Sequence, residues 1–236
     1  MEPIYYQYRF KFNNGREEVF DIHLDGVNLS PLEKMPEKLP EWTRLEFHKC
    51  PNCPLDPLEV FYCPLAGRIE PLVDKMSNVV SFDEMKVEVT LDERIVTRDA
   101  TAQEGISALM GIITATSGCP HTIFFKPMAR FHLPFANTEE TFYRAASMYM
   151  LGQYYRWQAG KSADMDLKGI HSFYEKVAAV NKGIADRLRS EQREDGSVNA
   201  IVLLDMFVKT MPMMLDETLE GLRPLFTPYV NTELDL

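Results

Sequence analysis

Four cysteines, each followed directly by proline, are the residues of this chain best placed to do chemistry: Cys50-Pro51, Cys53-Pro54, Cys63-Pro64 and Cys119-Pro120. Thiolates ligate soft metals. Cys50-Pro51-Asn52-Cys53 is a Cys-x-x-Cys pair whose sulfurs can chelate one ion, with Cys63 ten residues further on. Proline fixes φ and removes a backbone donor, so each thiol is expected on a stiff turn. Cys119 would complete a four-cysteine metal set from across the fold. His48 and His121, each two residues from a cysteine, are the substitute ligands. Such a tetrahedral set suits structural zinc, which would staple one half of the chain to the other. The same ligands suit an iron–sulfur cluster, although the interval from Cys53 to Cys63 departs from the compact ferredoxin run.

Other readings of these residues carry less. Free cysteine is among the most buried residue types, yet these four sit in proline turns beside polar residues, not in apolar stripes. A thioredoxin-like pair would open a helix, which Pro54 and Pro57 oppose. A nucleophilic Cys119 would need His121 or His132 as its base, and no catalytic signature surrounds them. In Arg130-Phe131-His132-Leu133-Pro134-Phe135, His132 reads as a satisfied core or surface histidine. Paired with Arg130, it could instead form an anion site or an outer contact to the metal. The chain holds no glycine-rich phosphate loop, His-Glu-x-x-His motif or Gly-x-Ser-x-Gly elbow.

The elements that must position these groups begin as sheet. Tyr6, Tyr8, Phe10 and Phe12 alternate with Gln7, Arg9 and Lys11, the period of a half-buried strand. Asn14-Gly15 is a type I′ turn signal, and Phe20, Ile22 and Leu24 alternate on the return. Thr43, Leu45 and Phe47 alternate again toward His48 and Cys50. Val87, Val89 and Leu91, followed by Ile95 and Thr97 beyond Asp92-Glu93, spell a second hairpin. Between them, residues 64–77 carry Leu65, Ile69, Leu72, Val73 and Met76 at helical spacing. Cys63 would be the N-cap and Pro64 the first helical residue, where its missing N–H is not needed.

From residue 101 the pattern is helical. Thr101 with Glu104, and Asn137 with Glu140, have the spacing of capping boxes. Gly118 is placed to stop the first of these helices just before Cys119. A third helix carries Leu167, Ile170, Tyr174, Val177, Ile184 and Leu188 on one stripe, and a fourth runs over residues 197–221 with Pro212 set to kink it. The expectation is an α+β fold. An N-terminal antiparallel sheet of hairpins with one inserted helix (1–100) precedes about four helices (101–222) and a tail (223–236), all in a single domain spanning 1–236.

Bulk properties narrow the partners. A formal net charge of −10 opposes non-specific binding to nucleic acid or an anionic membrane. No apolar stretch approaches the roughly 20 residues of a membrane span, and the charged, alternating residues 1–12 do not form a secretory core. The expected compartment is the cytoplasm, where thiols stay reduced.

Cys50-Pro51-Asn52-Cys53-Pro54-Leu55, Thr116-Ser117-Gly118-Cys119-Pro120 and Arg130-Phe131-His132-Leu133-Pro134-Phe135 together resemble a family of bacterial proteins known only as a domain of unknown function. The resemblance spans most of the chain and implies a bacterial source and one family domain. It supplies no activity, cofactor or catalytic residue. The residues therefore predict a metal-binding protein with a four-cysteine centre, structural zinc in a regulatory or protein-interaction module. An iron–sulfur protein in redox sensing or electron transfer is the alternative. All-cysteine ligation leaves no open coordination position, so the reading leans away from an enzyme.

Overall fold

The computed structural model describes residues 1–190 and 195–231. Two hairpins form the sheet. β1 (Ile4–Phe12) turns through Asn14-Gly15 into β2 (Glu17–Leu24), and β3 (Glu84–Leu91) turns through Asp92-Glu93 into β4 (Arg94–Thr101). The turn is not the type I′ pair expected: Gly15 adopts φ +85° but Asn14 does not share the positive φ, and the Gly15 N–H donates to the Phe12 carbonyl at 3.0 Å. β1 also pairs antiparallel with β3, giving the order β2-β1-β3-β4. Tyr6, Tyr8 and Phe10 alternate onto the buried face of the sheet. On the other face, Arg9 and Lys11 meet Glu88, and Arg9 also meets Glu17, a solvated charge ladder.

Cys63 is the N-cap of α1 (Pro64–Lys75), with proline at its first position, as its sequence demands. Residues 43–47 depart from expectation. They form turns after a short 3-10 segment (Glu41–Thr43), joined to the rest by an isolated bridge from Arg44 to Tyr62. The cause is Arg187, which is 1% exposed and sits on α5 (Lys168–Ser190). Its guanidinium donates to the carbonyls of Trp42, Arg44 and Leu45 at 2.6, 2.7 and 3.1 Å. Those carbonyls are thereby taken from any strand ladder.

The helical half contains α2 (Ala102–Thr116), the short α3 (Lys126–Arg130), α4 (Thr138–Gln158), α5, α6 (Gly196–Leu222) and the short α7 (Thr227–Asn231). Both predicted capping boxes form, at Thr101 with Glu104 and at Asn137 with Glu140. The chain bends by 76° between stretches 196–210 and 214–231, on either side of Pro212. Residues 223–231 are helical, whereas the acidic end at Glu233-Leu234-Asp235 lies outside the described residues. The arrangement is α+β.

Two hydrophobic clusters share α5 and α6. One joins the sheet to α1, α2 and the C-terminal half of α5; the other joins α4 to the N-terminal half of α5 and later turns of α6. α2 packs on the sheet at Gly105, where an added Cβ would stand 2.9 Å from both Phe10 and Val87. That close approach requires glycine. Gly105→Val is expected to lower stability by about 1–3 kcal/mol through overpacking, read as a lower denaturant midpoint with an unchanged slope.

Candidate functional site

The four cysteines are free thiols. Cys50 and Cys53 occupy one turn, closed by the Cys53 N–H donating to the Cys50 carbonyl at 3.0 Å. Cys63 is buried at the start of α1, its N–H donating to the Thr43 carbonyl at 2.8 Å. Cys119 is also buried, but it opens an irregular turn and caps no regular helix: its carbonyl accepts from Thr122 and Ile123, and its N–H meets Ser117 Oγ at 3.2 Å. Of the substitute ligands, His48 is exposed at φ +45°. His121 uses Nε2–H to donate to the Asn52 carbonyl at 2.6 Å, pinning its loop to the Cys50–Cys53 turn.

The thiols lie within electrostatic reach of one another without converging on a common point. Among the described residues no three His, Cys, Asp or Glu side chains are arranged to hold a metal ion. This overturns the expected four-cysteine centre, and with it both the zinc-stabilised module and the iron–sulfur protein. Burial acts on two of the thiols. It raises Cys50 to about 11, with Cys63 adding to the effect and Arg187 partly opposing it, and it raises Cys119 as well.

The groups that do converge lie in the helical half. A cavity of about 360 Å3 is walled by Ser107, Ala108, Gly111, Thr114 and Ala115 on α2 and by Leu204 and Val208 on α6. Tyr174, Val177 and Asn181 on α5, Thr141 and Arg144 on α4 and the paired Arg98 and Glu104 add to the walls, with Met128, His132, Leu133, Phe135 and Ala136 lying across one side. Positions 107, 111, 114 and 115 of α2 share a helical face, as do 174, 177 and 181 of α5. The lining is predominantly apolar, with polar groups at a few points, the usual composition of a ligand pocket. A second cavity, about 280 Å3, lies between β2, α1 and α2. Two of its polar members have partners: Arg68 donates to the Glu33 carbonyl, and the Glu33 carboxylate holds His23.

β1 sets the position of His132. The Tyr6 hydroxyl donates to the carbonyls of Ala129 and Arg130 at 2.9 and 3.1 Å, and the Tyr8 hydroxyl meets His132 Nε2 at 2.5 Å. Tyr8 is fully buried, and burial pushes its phenol well above the usual range. Its proton has no other acceptor among the described residues, which assigns Tyr8 as donor to Nε2 and the imidazole proton to Nδ1. His132 is itself 8% exposed. Burial, assisted by the charges of Arg144 and Arg94, lowers its pKa to about 3, so it is neutral at physiological pH.

Arg144 donates Nη2–H to the carbonyls of Met128 and Phe131, both at 2.9 Å. Glu140, one turn earlier, gives it no ion pair. That carboxylate accepts the Asn137 N–H at 2.7 Å in the capping box instead. Asn181, 3% exposed, has its Nδ2 buried with no hydrogen-bond partner.

Residues 6–227 match the family model of a domain of unknown function, DUF6901. The chain belongs to the DUF6901 family. No curated protein and no solved structure matches it. The DUF6901 residues that stood out by type and spacing, the cysteines, are thus not those that line the cavity. His132 was noted in sequence, but the arginine beside it is Arg144 and not its neighbour Arg130. Asn181 left one legible trace, a polar residue interrupting the apolar stripe of α5.

Two measurements follow. A group held neutral in the folded state and free to protonate when unfolded makes stability fall as pH drops from 6.5 toward 3. For His132 the slope is up to about 1.4 kcal/mol per pH unit. His132→Phe should remove that component, so urea midpoints between pH 4 and 7 should vary less steeply than in the wild type. An added Cβ at Gly183 on α5 would stand 2.6 Å from Cys50 Sγ. Gly183→Ala should therefore cost about 1–3 kcal/mol, and the double variant with Cys50→Ala should recover most of it in thermal melts.

Proposed function

We propose that this protein binds a small amphipathic molecule in the cavity between α2, α4, α5 and α6. The observation that carries the reading is a predominantly apolar space with Arg144, His132 and Asn181 at a few points of its wall, the Nδ2 of Asn181 being buried with no hydrogen-bond partner among the described residues. A buried donor left unpaired costs about 1–3 kcal/mol, and a ligand acceptor would remove that cost. At about 360 Å3 the space is at the small end of ligand sites, which run roughly 300–1,000 Å3.

Gly111 supports the same reading. It lines the cavity in mid-helix, and a Cβ built there meets nothing within 4 Å. Mid-helix glycine is less favourable than alanine by roughly 0.8–1 kcal/mol. No close approach of a neighbour requires glycine here, in contrast with Gly105. A residue that weakens its helix and leaves space open is accounted for if the space is used.

Gly111→Leu separates binding from folding. It should leave the melting temperature unchanged or raise it, because it improves helix propensity and fills a void. It should also abolish the fluorescence enhancement of N-phenyl-1-naphthylamine, a neutral apolar dye that the wild type is expected to bind at micromolar concentration. A dye that ignores the wild type, or binds both proteins alike, would refute the reading.

A further inference from the structure

We infer that the ligand carries a single carboxylate, received by Arg144 and by the Nδ1–H of His132. This deepens the binding reading above and rests on the cavity being the site. Three arrangements bear on the charge of the guest. First, Arg144 lines the cavity as a cation without a carboxylate partner. Its Nη2 is held by two backbone carbonyls, while Nη1 and Nε have no hydrogen-bond partner among the described residues. Second, the nearby carboxylates have hydrogen bonds of their own and form no ion pair with Arg144 among the described residues, although Glu140 still acts on it through its charge. Glu140 closes the capping box of α4. Glu104 accepts from the Thr101 N–H at 2.9 Å and pairs with Arg98 at 3.4 Å. Third, His132 presents a donor at the same end. Tyr8 fixes the proton on Nδ1, which has no partner among the described residues, and the charge of Arg144 acts on His132 directly.

A guanidinium with free N–H groups beside a neutral N–H donor provides charge and hydrogen bonds to an anion. Such charge-assisted hydrogen bonds are roughly twice as strong as neutral ones. A single guanidinium, its charge already partly offset by Glu140, favours a monoanion over a dianion. The apolar walls of α2, α5 and α6 then take an uncharged body. A cationic ligand would meet Arg144 head-on, and a neutral alcohol would leave its charge unanswered.

The test uses the full chain and a matched set of eight-carbon competitors for bound N-phenyl-1-naphthylamine: octanoate, 1-octanol and octylamine, at pH 7.5. Octanoate is expected to displace the dye at a concentration at least tenfold lower than either of the others. In Arg144→Met that preference should shrink to within about twofold, with 1-octanol displacing the dye as in the wild type. Retained octanol affinity shows that the cavity survives the loss of the contacts to Met128 and Phe131. Equal displacement by octanoate and 1-octanol in the wild type overturns the inference while leaving the cavity reading standing, since the neutral dye reports the latter independently. Preference for octylamine overturns it too. Should Arg144→Met fold poorly, His132→Phe serves instead, and the octanoate preference should fall by threefold or more.

Discussion

The alternation of β1 is the constraint on which the rest of the molecule depends. Placing Tyr6, Tyr8 and Phe10 on one face buries three aromatic rings, and it also carries two hydroxyls into a region that cannot leave them unpaired. Their partners are the carbonyls of Ala129 and Arg130 and the imidazole of His132, more than 120 residues away. A strand position is thereby converted into a loop position. Because the 129–132 segment is tied to the sheet from below, Arg144 can grip the carbonyls of Met128 and Phe131 from α4. The cavity edge is built by these two sets of hydrogen bonds, one from the sheet and one from a helix. A one-residue slip of β1 would turn both tyrosines to the charged face and release the segment.

The cysteines show how a chemically suggestive pattern can arise from chain geometry. The two-residue gap between Cys50 and Cys53 has a local cause in the structure: a hydrogen bond from residue 53 back to residue 50 closes a turn. Proline after each cysteine ends or redirects the chain, and Pro64 simply begins a helix. The turn docks on α5 where Gly183 leaves room for Cys50 Sγ, and it is held by His121 and by Asn52, whose amide donates to the Lys176 carbonyl at 3.1 Å. The resident cation facing this region is Arg187, whose guanidinium is committed to backbone carbonyls. Packing and backbone satisfaction account for the segment without a metal.

Local signals in the sequence were read well because their causes are local. Both hairpins, the proline-started α1 and the two capping boxes depend on residues within four positions of one another. The strand expected over 43–47 failed because its carbonyls answer to Arg187, a residue some 140 positions downstream that no periodicity could reveal. The site was hidden for the same reason. Arg144 stands in a helix of mixed polarity, and its significance comes from what Glu140 does with its carboxylate. Asn181 could be seen as an interruption, but not as an unpaired donor beside an open space.

That open space has to be reconciled with marginal stability. Removing buried atoms without collapse costs about 24 cal/mol per Å3 of sealed void; the space here, about 360 Å3, opens to solvent and costs less than that rate implies. Typical domains are stable by only about 5–15 kcal/mol in total. The simplest remedies were available at little structural cost. A leucine at Gly111 would strengthen α2 and occupy the void, and a carboxylate paired directly with Arg144 would answer its charge in full. The chain has neither, and it keeps Asn181 unpaired in the same wall. Each omission is unfavourable alone. Together they describe a surface complementary to something absent from the chain itself, apolar along α2, α5 and α6 and electron-rich where it meets Arg144 and His132.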